Sequence, residues 1–204
     1  MSGFTAGGGF YAAEPLKSAQ DHQIYWEMDN IRFHSPAEHK INGTTYDVEM
    51  QIFGWDYYNR HVVCSGKGAT SIFFNIDPDD PDTGNDFFNW QADATAGNDV
   101  TLDMSLVNSK ITSMTNNIYG YSGTDTMPGC TGVCWYAVET PLKISTAQRD
   151  FFRLTVDDKT YDSNARMTGL GSDAYTAKFF FYGAFSPEPT QPVTPDPPTS
   201  TEEL

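Results

Sequence analysis

The chain has 204 residues, 39% hydrophobic and 14% aromatic, with a formal charge of −15 at pH 7. That length supports one domain with a sizeable core, or at most two small ones. The acidic balance argues against nucleic acid as a partner, because phosphate recognition needs Lys and Arg to neutralise the backbone. No run of 18 apolar residues occurs, so no transmembrane helix is expected. The opening stretch MSGFTAGGGFYAAE lacks the basic and apolar regions of a signal peptide, and residues 1–22 read as an N-terminal extension.

From residue 23 the pattern turns to β. QIYWEMDNIRFH (23–34) is rich in β-branched and aromatic residues and predicts a strand. Asn42-Gly43 lies between two alternating runs, which predicts a tight hairpin turn. Asn42-Gly43-Thr44 is also the only N-glycosylation sequon, relevant only if the chain is secreted. TYDVEMQIFGW (45–55) alternates, with Tyr46, Val48, Met50 and Ile52 on one face and Asp47, Glu49, Gln51 and Phe53 on the other. Residues 70–76, 134–139 and 177–185 predict further strands. Ser145 followed by Gln148 forms a capping-box pattern that opens one helix, STAQRDFFRLTV. Residues 23–185 are therefore assigned to the folded domain. Residues 186–204, with six prolines, read as a Pro-rich tail or linker.

Between residues 75 and 89, Asp77, Asp79, Asp80, Asp82 and Asp86 crowd around Gly84. Carboxylates at such spacing can ligate calcium, but the EF-hand spacing and its terminal Glu are missing. The stretch reads as a solvated acidic loop, with calcium at Asp77, Asp79, Asp80 and Asp82 as the minor alternative. Three cysteines leave at least one unpaired within the chain. Cys130 and Cys134 form a lone CxxxC, weak as a zinc motif, and read as a candidate disulfide or as buried thiols. His22, His39 and His61 share no motif and are assigned to the surface or to turns, and His34 alone would read as structural.

Three stretches together resemble the α-type carbonic anhydrase family. FHSPAEHKINGTTYDVEMQIFGWD (33–56) is similar to that family's paired strands, in which Phe-His-Phe-His leads through Ser-Glu-His to Glu-Leu-His. YGYSGTDTMPGCTGVCWYAVETPLKIS (119–145) resembles its Tyr-x-Gly-Ser-Leu-Thr-Thr-Pro-Pro-Cys segment and the Thr-Pro-Leu-x-Ile-Ser helix start. NARMTGL (164–170) resembles its Asn-x-Arg-x-x-Gln signature. Order and spacing match over most of the folded chain. The resemblance implies a mainly β fold, an open twisted mixed β-sheet with few short helices.

It also implies a zinc ion on three histidines, which lowers the pKa of a bound water to about 7 and so makes the hydroxide that attacks CO₂. Laid on that motif, the ligand positions carry Arg32, His34 and Gln51. Guanidinium has no free lone pair and stays protonated, and Gln offers only an amide oxygen. No zinc and no hydration activity are therefore expected. Glu38 and Thr126 match the gatekeeper pair, Glu49 the carboxylate behind the third histidine, and Trp135 an apolar wall. Phe53 replaces a smaller aliphatic residue and should fill the pocket. Asp125 replaces a leucine, and an Arg32–Asp125 or Arg32–Glu49 ion pair is expected to stand where the metal charge would be.

The family's long N-terminal segment is expected to be missing, replaced or supplied by another chain here, and removing it would uncover apolar surface of the kind that marks interfaces. The expectation is a catalytically inactive carbonic anhydrase-like protein, a structural or interaction component that binds other protein subunits. In the family's secreted members the cysteine matched by Cys130 is disulfide-bonded, which implies an extracellular or organelle-lumenal location. Two alternatives stand beside it: a module binding bicarbonate or another anion at Arg32, and a carbonate dehydratase with zinc rearranged around His34, His39 and a Cys or Asp.

Overall fold

The computed structural model describes residues 9–13, 23–56, 63–107, 118–126, 129–155, 166–167 and 180–182. Its strands are β1 (Gly9–Ala13), β2 (Gln23–His34), β3 (His39–Ile41), β4 (Thr44–Thr45), β5 (Val48–Asp56), β6 (Lys67–Ile76), β7 (Ile118–Thr124), β8 (Gly132–Val138), β9 (Leu142–Ile144), β10 (Arg166–Met167) and β11 (Phe180–Tyr182). The described helices include α1 (Gln91–Thr95) and α2 (Thr146–Thr155). The expected tail at 186–204, His22 and His61 lie outside the described residues, as does the 164–170 signature except for β10.

An eight-stranded sheet organises the chain, in the order β11-β1-β2-β5-β6-β8-β7, with β9 pairing on β6. The β2–β5, β5–β6 and β7–β8 pairs are antiparallel, while β8 and β9 run parallel to β6, so the sheet is mixed. β1, from the stretch set apart above as an extension, pairs with β2 over Gly9 to Ala13. The Asn42-Gly43 turn forms as expected: both residues have positive φ, 50° and 79°, which a two-residue hairpin with native twist requires. It joins β3 to β4 in a small second sheet with β10.

Both faces of the large sheet are covered. On one, Val48, Met50 and Ile52 pack with Ile72, Phe74, Tyr136, Val138, Leu142 and Ile144 under Phe87, Phe88, Trp90 and Phe152. Gly68 allows Trp26 to lie across β6, since a Cβ there would stand 2.4 Å from the indole ring. On the other face lie Phe53, Ala69, Val133 and Trp135, and a second cluster of Ala37, Ile41, Tyr46, Phe73 and Ala137. Tyr46 thus departs from the face expected from alternation, because it precedes β5 and its ring stacks on Phe73 at 4.8 Å. Double coverage leaves Trp55 as the one exposed residue of β5.

The capping box at α2 is made in full. Gln148 N donates to Ser145 Oγ at 3.2 Å, and Ser145 N donates to Gln148 Oε1 at 3.3 Å. The same Gln148 amide also holds Asn85 by both its N–H (2.8 Å) and its carbonyl (3.0 Å), tying the helix start to the acidic stretch. The cysteine pairing differs from the expected Cys130–Cys134 bond. Cys134 is joined to Cys64, 70 residues upstream, and Cys130 is a free, exposed thiol. Cys134 sits in β8 facing the buried layer that Cys64 packs against, whereas Cys130 lies before that strand begins.

Candidate functional site

The β2–β5 register puts Arg32 directly opposite Gln51 and His34 opposite Glu49. Because successive side chains alternate across a strand, Arg32, His34, Glu49, Gln51 and Phe53 share one face. β6 adds Lys67 and Ser71 beside them through its pairing with Trp55 and Gln51.

Arg32 Nη1 donates to Asp125 Oδ1 at 2.7 Å, and Lys67 Nζ donates to Asp125 Oδ2 at 2.6 Å. One carboxylate therefore bridges two cations, and the trio keeps a net positive charge. The Asp125 and Lys67 side chains are 6% and 11% exposed, and Arg32 keeps 24%. Asp125 is fixed by its backbone, whose N–H donates to Thr131 O at 2.8 Å. Phe53 is fully buried beneath the cluster, with the Arg32 guanidinium 4.0 Å and the Lys67 ammonium 5.4 Å from its ring centroid. Of the two ion pairs expected for Arg32, the one with Asp125 is made. Lys67 was not anticipated; its alternation with Ala69, Ser71 and Phe73 along β6 was the available signal.

A second network runs beside the first. Glu49 is fully buried and accepts from Glu38 N (2.8 Å), His39 N (3.0 Å), Gln51 Nε2 (3.0 Å) and Ser71 Oγ (2.7 Å), with His39 Nδ1 at 2.6 Å. Burial alone would raise its pKa. The charge, ring N–H and backbone N–H of His39, together with the Ser71 hydroxyl, outweigh burial and hold it well below the ordinary carboxylate range. His39 Nε2 meets the Tyr121 hydroxyl at 2.5 Å. This corrects the assignment of His39 to the surface: it is fully buried, and Ala37 and Ile41, two residues to either side, are buried too. That alternation, Ala37, His39, Ile41, was the signal in the sequence.

The gatekeeper positions are occupied but not joined. Glu38 accepts from Gln51 Nε2 at 3.1 Å and faces His34 Nδ1 at 3.4 Å, while Thr126 Oγ1 lies 3.5 Å from Arg32 Nη1. Trp135 is buried as the resemblance implies, its Nε1 donating to Thr124 O at 3.1 Å.

The residues present do not fit the zinc ion that the resemblance implies. One ligand position holds a guanidinium turned onto Asp125, and a second holds an amide whose N–H groups are spent on Glu38 and Glu49. His34 is the single imidazole left, its Nε2 buried without a hydrogen-bond partner, as is Gln51 Oε1. A metal cation beside Arg32 and Lys67 would meet like-charge repulsion. Among the described residues no group of three or more His, Cys, Asp or Glu side chains is arranged to hold a metal. In the acidic loop, Asp77 instead accepts from Lys143 Nζ and from Asp79 N.

A family model described as eukaryotic-type carbonic anhydrase matches residues 8–170. Alpha carbonic anhydrase 6 of Arabidopsis thaliana is 33% identical over 119 residues, 56% of this chain and 41% of that protein. A dioscorin of Dioscorea polystachya is 27% identical over 145 residues, 71% of this chain and 52% of that protein. The chain thus spans about half the length of the curated relatives it matches. Among solved structures, the fungal alpha carbonic anhydrase from Aspergillus oryzae has a TM-score of 0.55 at 18% identity, covering 83% of this chain and 73% of that one. Dioscorin complexed with ascorbate has a TM-score of 0.51 at 15% identity, covering 91% and 78%. At such identities these structures establish a shared fold. The chain belongs to the eukaryotic-type carbonic anhydrase family.

Proposed function

We propose that this chain is a catalytically inactive carbonic anhydrase-like protein, a zinc-free structural or interaction component that joins other protein subunits. The observation that carries the reading is the Arg32–Asp125–Lys67 cluster, built on one of the positions where the resemblance expects a zinc ligand. It supplies positive charge and its counterion from side chains alone, so the sheet needs no ion to satisfy that part of its core. Membership of the family does not carry activity with it when the groups that would generate hydroxide are replaced. The Cys64–Cys134 disulfide supports an extracellular or lumenal location. The test is CO₂ hydration by stopped flow on zinc-supplemented protein: the reading expects the rate of buffer alone, and catalysis proportional to protein concentration would overturn it.

One observation favours a second reading, an anion-binding module. Arg32 keeps solvent access, and its described hydrogen bonds to side chains leave through Nη1 alone. A relative of the same fold is described as dioscorin complexed with ascorbate. Calorimetric titration with bicarbonate and with ascorbate tests it: saturable binding lost in Arg32→Ala supports the module, and no binding removes it.

A further inference from the structure

We propose that Asn42 is an N-glycan acceptor, at the tip of the β3–β4 hairpin. The sequon Asn42-Gly43-Thr44 satisfies the acceptor pattern, and all three residues are exposed. A Cβ built on Gly43 meets nothing within 4 Å, so the tip faces open space. The turn explains Asn42 and Gly43 through their positive φ, but it makes no demand on residue 44. Thr44 is an exposed strand residue whose hydroxyl takes part in no side-chain hydrogen bond among the described residues. The Asn42 side chain reaches the Tyr119 hydroxyl, and a glycosylated amide retains one N–H for that contact.

The second, independent observation is the Cys64–Cys134 disulfide, which places folding in an oxidising compartment. That part rests on the extracellular or lumenal reading above. The co-reactant is an oligosaccharide linked through pyrophosphate to a lipid carrier. The bond between Asn42 Nδ2 and the sugar C1 forms, and the bond between C1 and the pyrophosphate oxygen breaks. One amide proton leaves Nδ2, and the lipid pyrophosphate is released.

The full chain, fused to a cleavable secretory leader, is translated with microsomes beside a known glycoprotein as control. The expected result is one discrete increase in mass that a peptide N-glycosidase removes. It should be absent from both Asn42→Asp, which keeps an Asp-Gly turn, and Thr44→Val, which keeps a β-branched strand residue. No increase in the parent chain while the control is modified, or an increase that persists in either variant, overturns the proposal. The supplied leader makes this result independent of the natural compartment. That reading fails separately, if alkylation of protein from its source labels all three thiols.

Discussion

Replacing Asp125 by Asn keeps the side-chain volume and removes the only carboxylate among the described residues that is bonded to both Arg32 and Lys67. Lys67, 11% exposed, then carries a charge in a nearly dry site, and Arg32, 24% exposed, is partly relieved by solvent. Leaving a buried charge without its partner costs about 3–5 kcal/mol, with Lys67 responsible for most of it. Arg32→Met is milder, because Lys67 keeps Asp125 and methionine still packs on Phe53. The loss is then the charge-assisted hydrogen bond to Asp125, the long one to Thr126 and one cation–π contact, about 1–3 kcal/mol. Urea denaturation of the three proteins measures this, and melting points should fall by about 2–4 °C per kcal/mol for a domain of this size. A loss below about 1 kcal/mol in Asp125→Asn, or a loss in Arg32→Met as large as in Asp125→Asn, would refute the reasoning.

Three further outcomes are expected. Glu49 has a folded-state pKa below its ordinary value of 4.5, so its contribution is fully present above about pH 5 and drains away as pH falls through the acid range. Acid titration of stability should therefore be steeper in the parent protein than in Glu49→Gln, and parallel curves would exclude this role. Reducing the disulfide, or Cys64→Ser, reopens a 70-residue loop and should cost about 2–5 kcal/mol in the same urea assay; no change would mean that the bond does not form. Arg32→His combined with Gln51→His places imidazoles beside His34 at all three ligand positions. Zinc at about 100 times its Kd should then stabilise the variant by about 2.7 kcal/mol and leave the parent unchanged.

Much of this site was legible because its chemistry is local to two strands. Arg32 and His34 share one face of β2, and Gln51 and Phe53 one face of β5, by alternation alone; the Asn42-Gly43 turn, read as easily, joins β3 to β4. The Ser145–Gln148 box was equally readable, since both halves lie within four residues. What escaped depended on contacts far apart in the chain. Lys67 reaches Asp125 across 58 residues, and Cys64 reaches Cys134 across 70, and no short motif announces either. His39 escaped for a different reason: polarity suggested a turn, but Glu49 and Tyr121 satisfy both ring nitrogens and make its burial tolerable. Tyr46 shows the limit of alternation, which holds within a strand and lapses at its edge.

The central claim is that side chains have taken the place of the metal. Zinc per chain, determined by elemental analysis on protein purified without added metal or a polyhistidine tag, tests it most directly. The account predicts near zero zinc in protein whose circular dichroism shows an intact β-sheet. Near one zinc per chain would contradict it, and would mean that Arg32 does not occupy the position assigned to it.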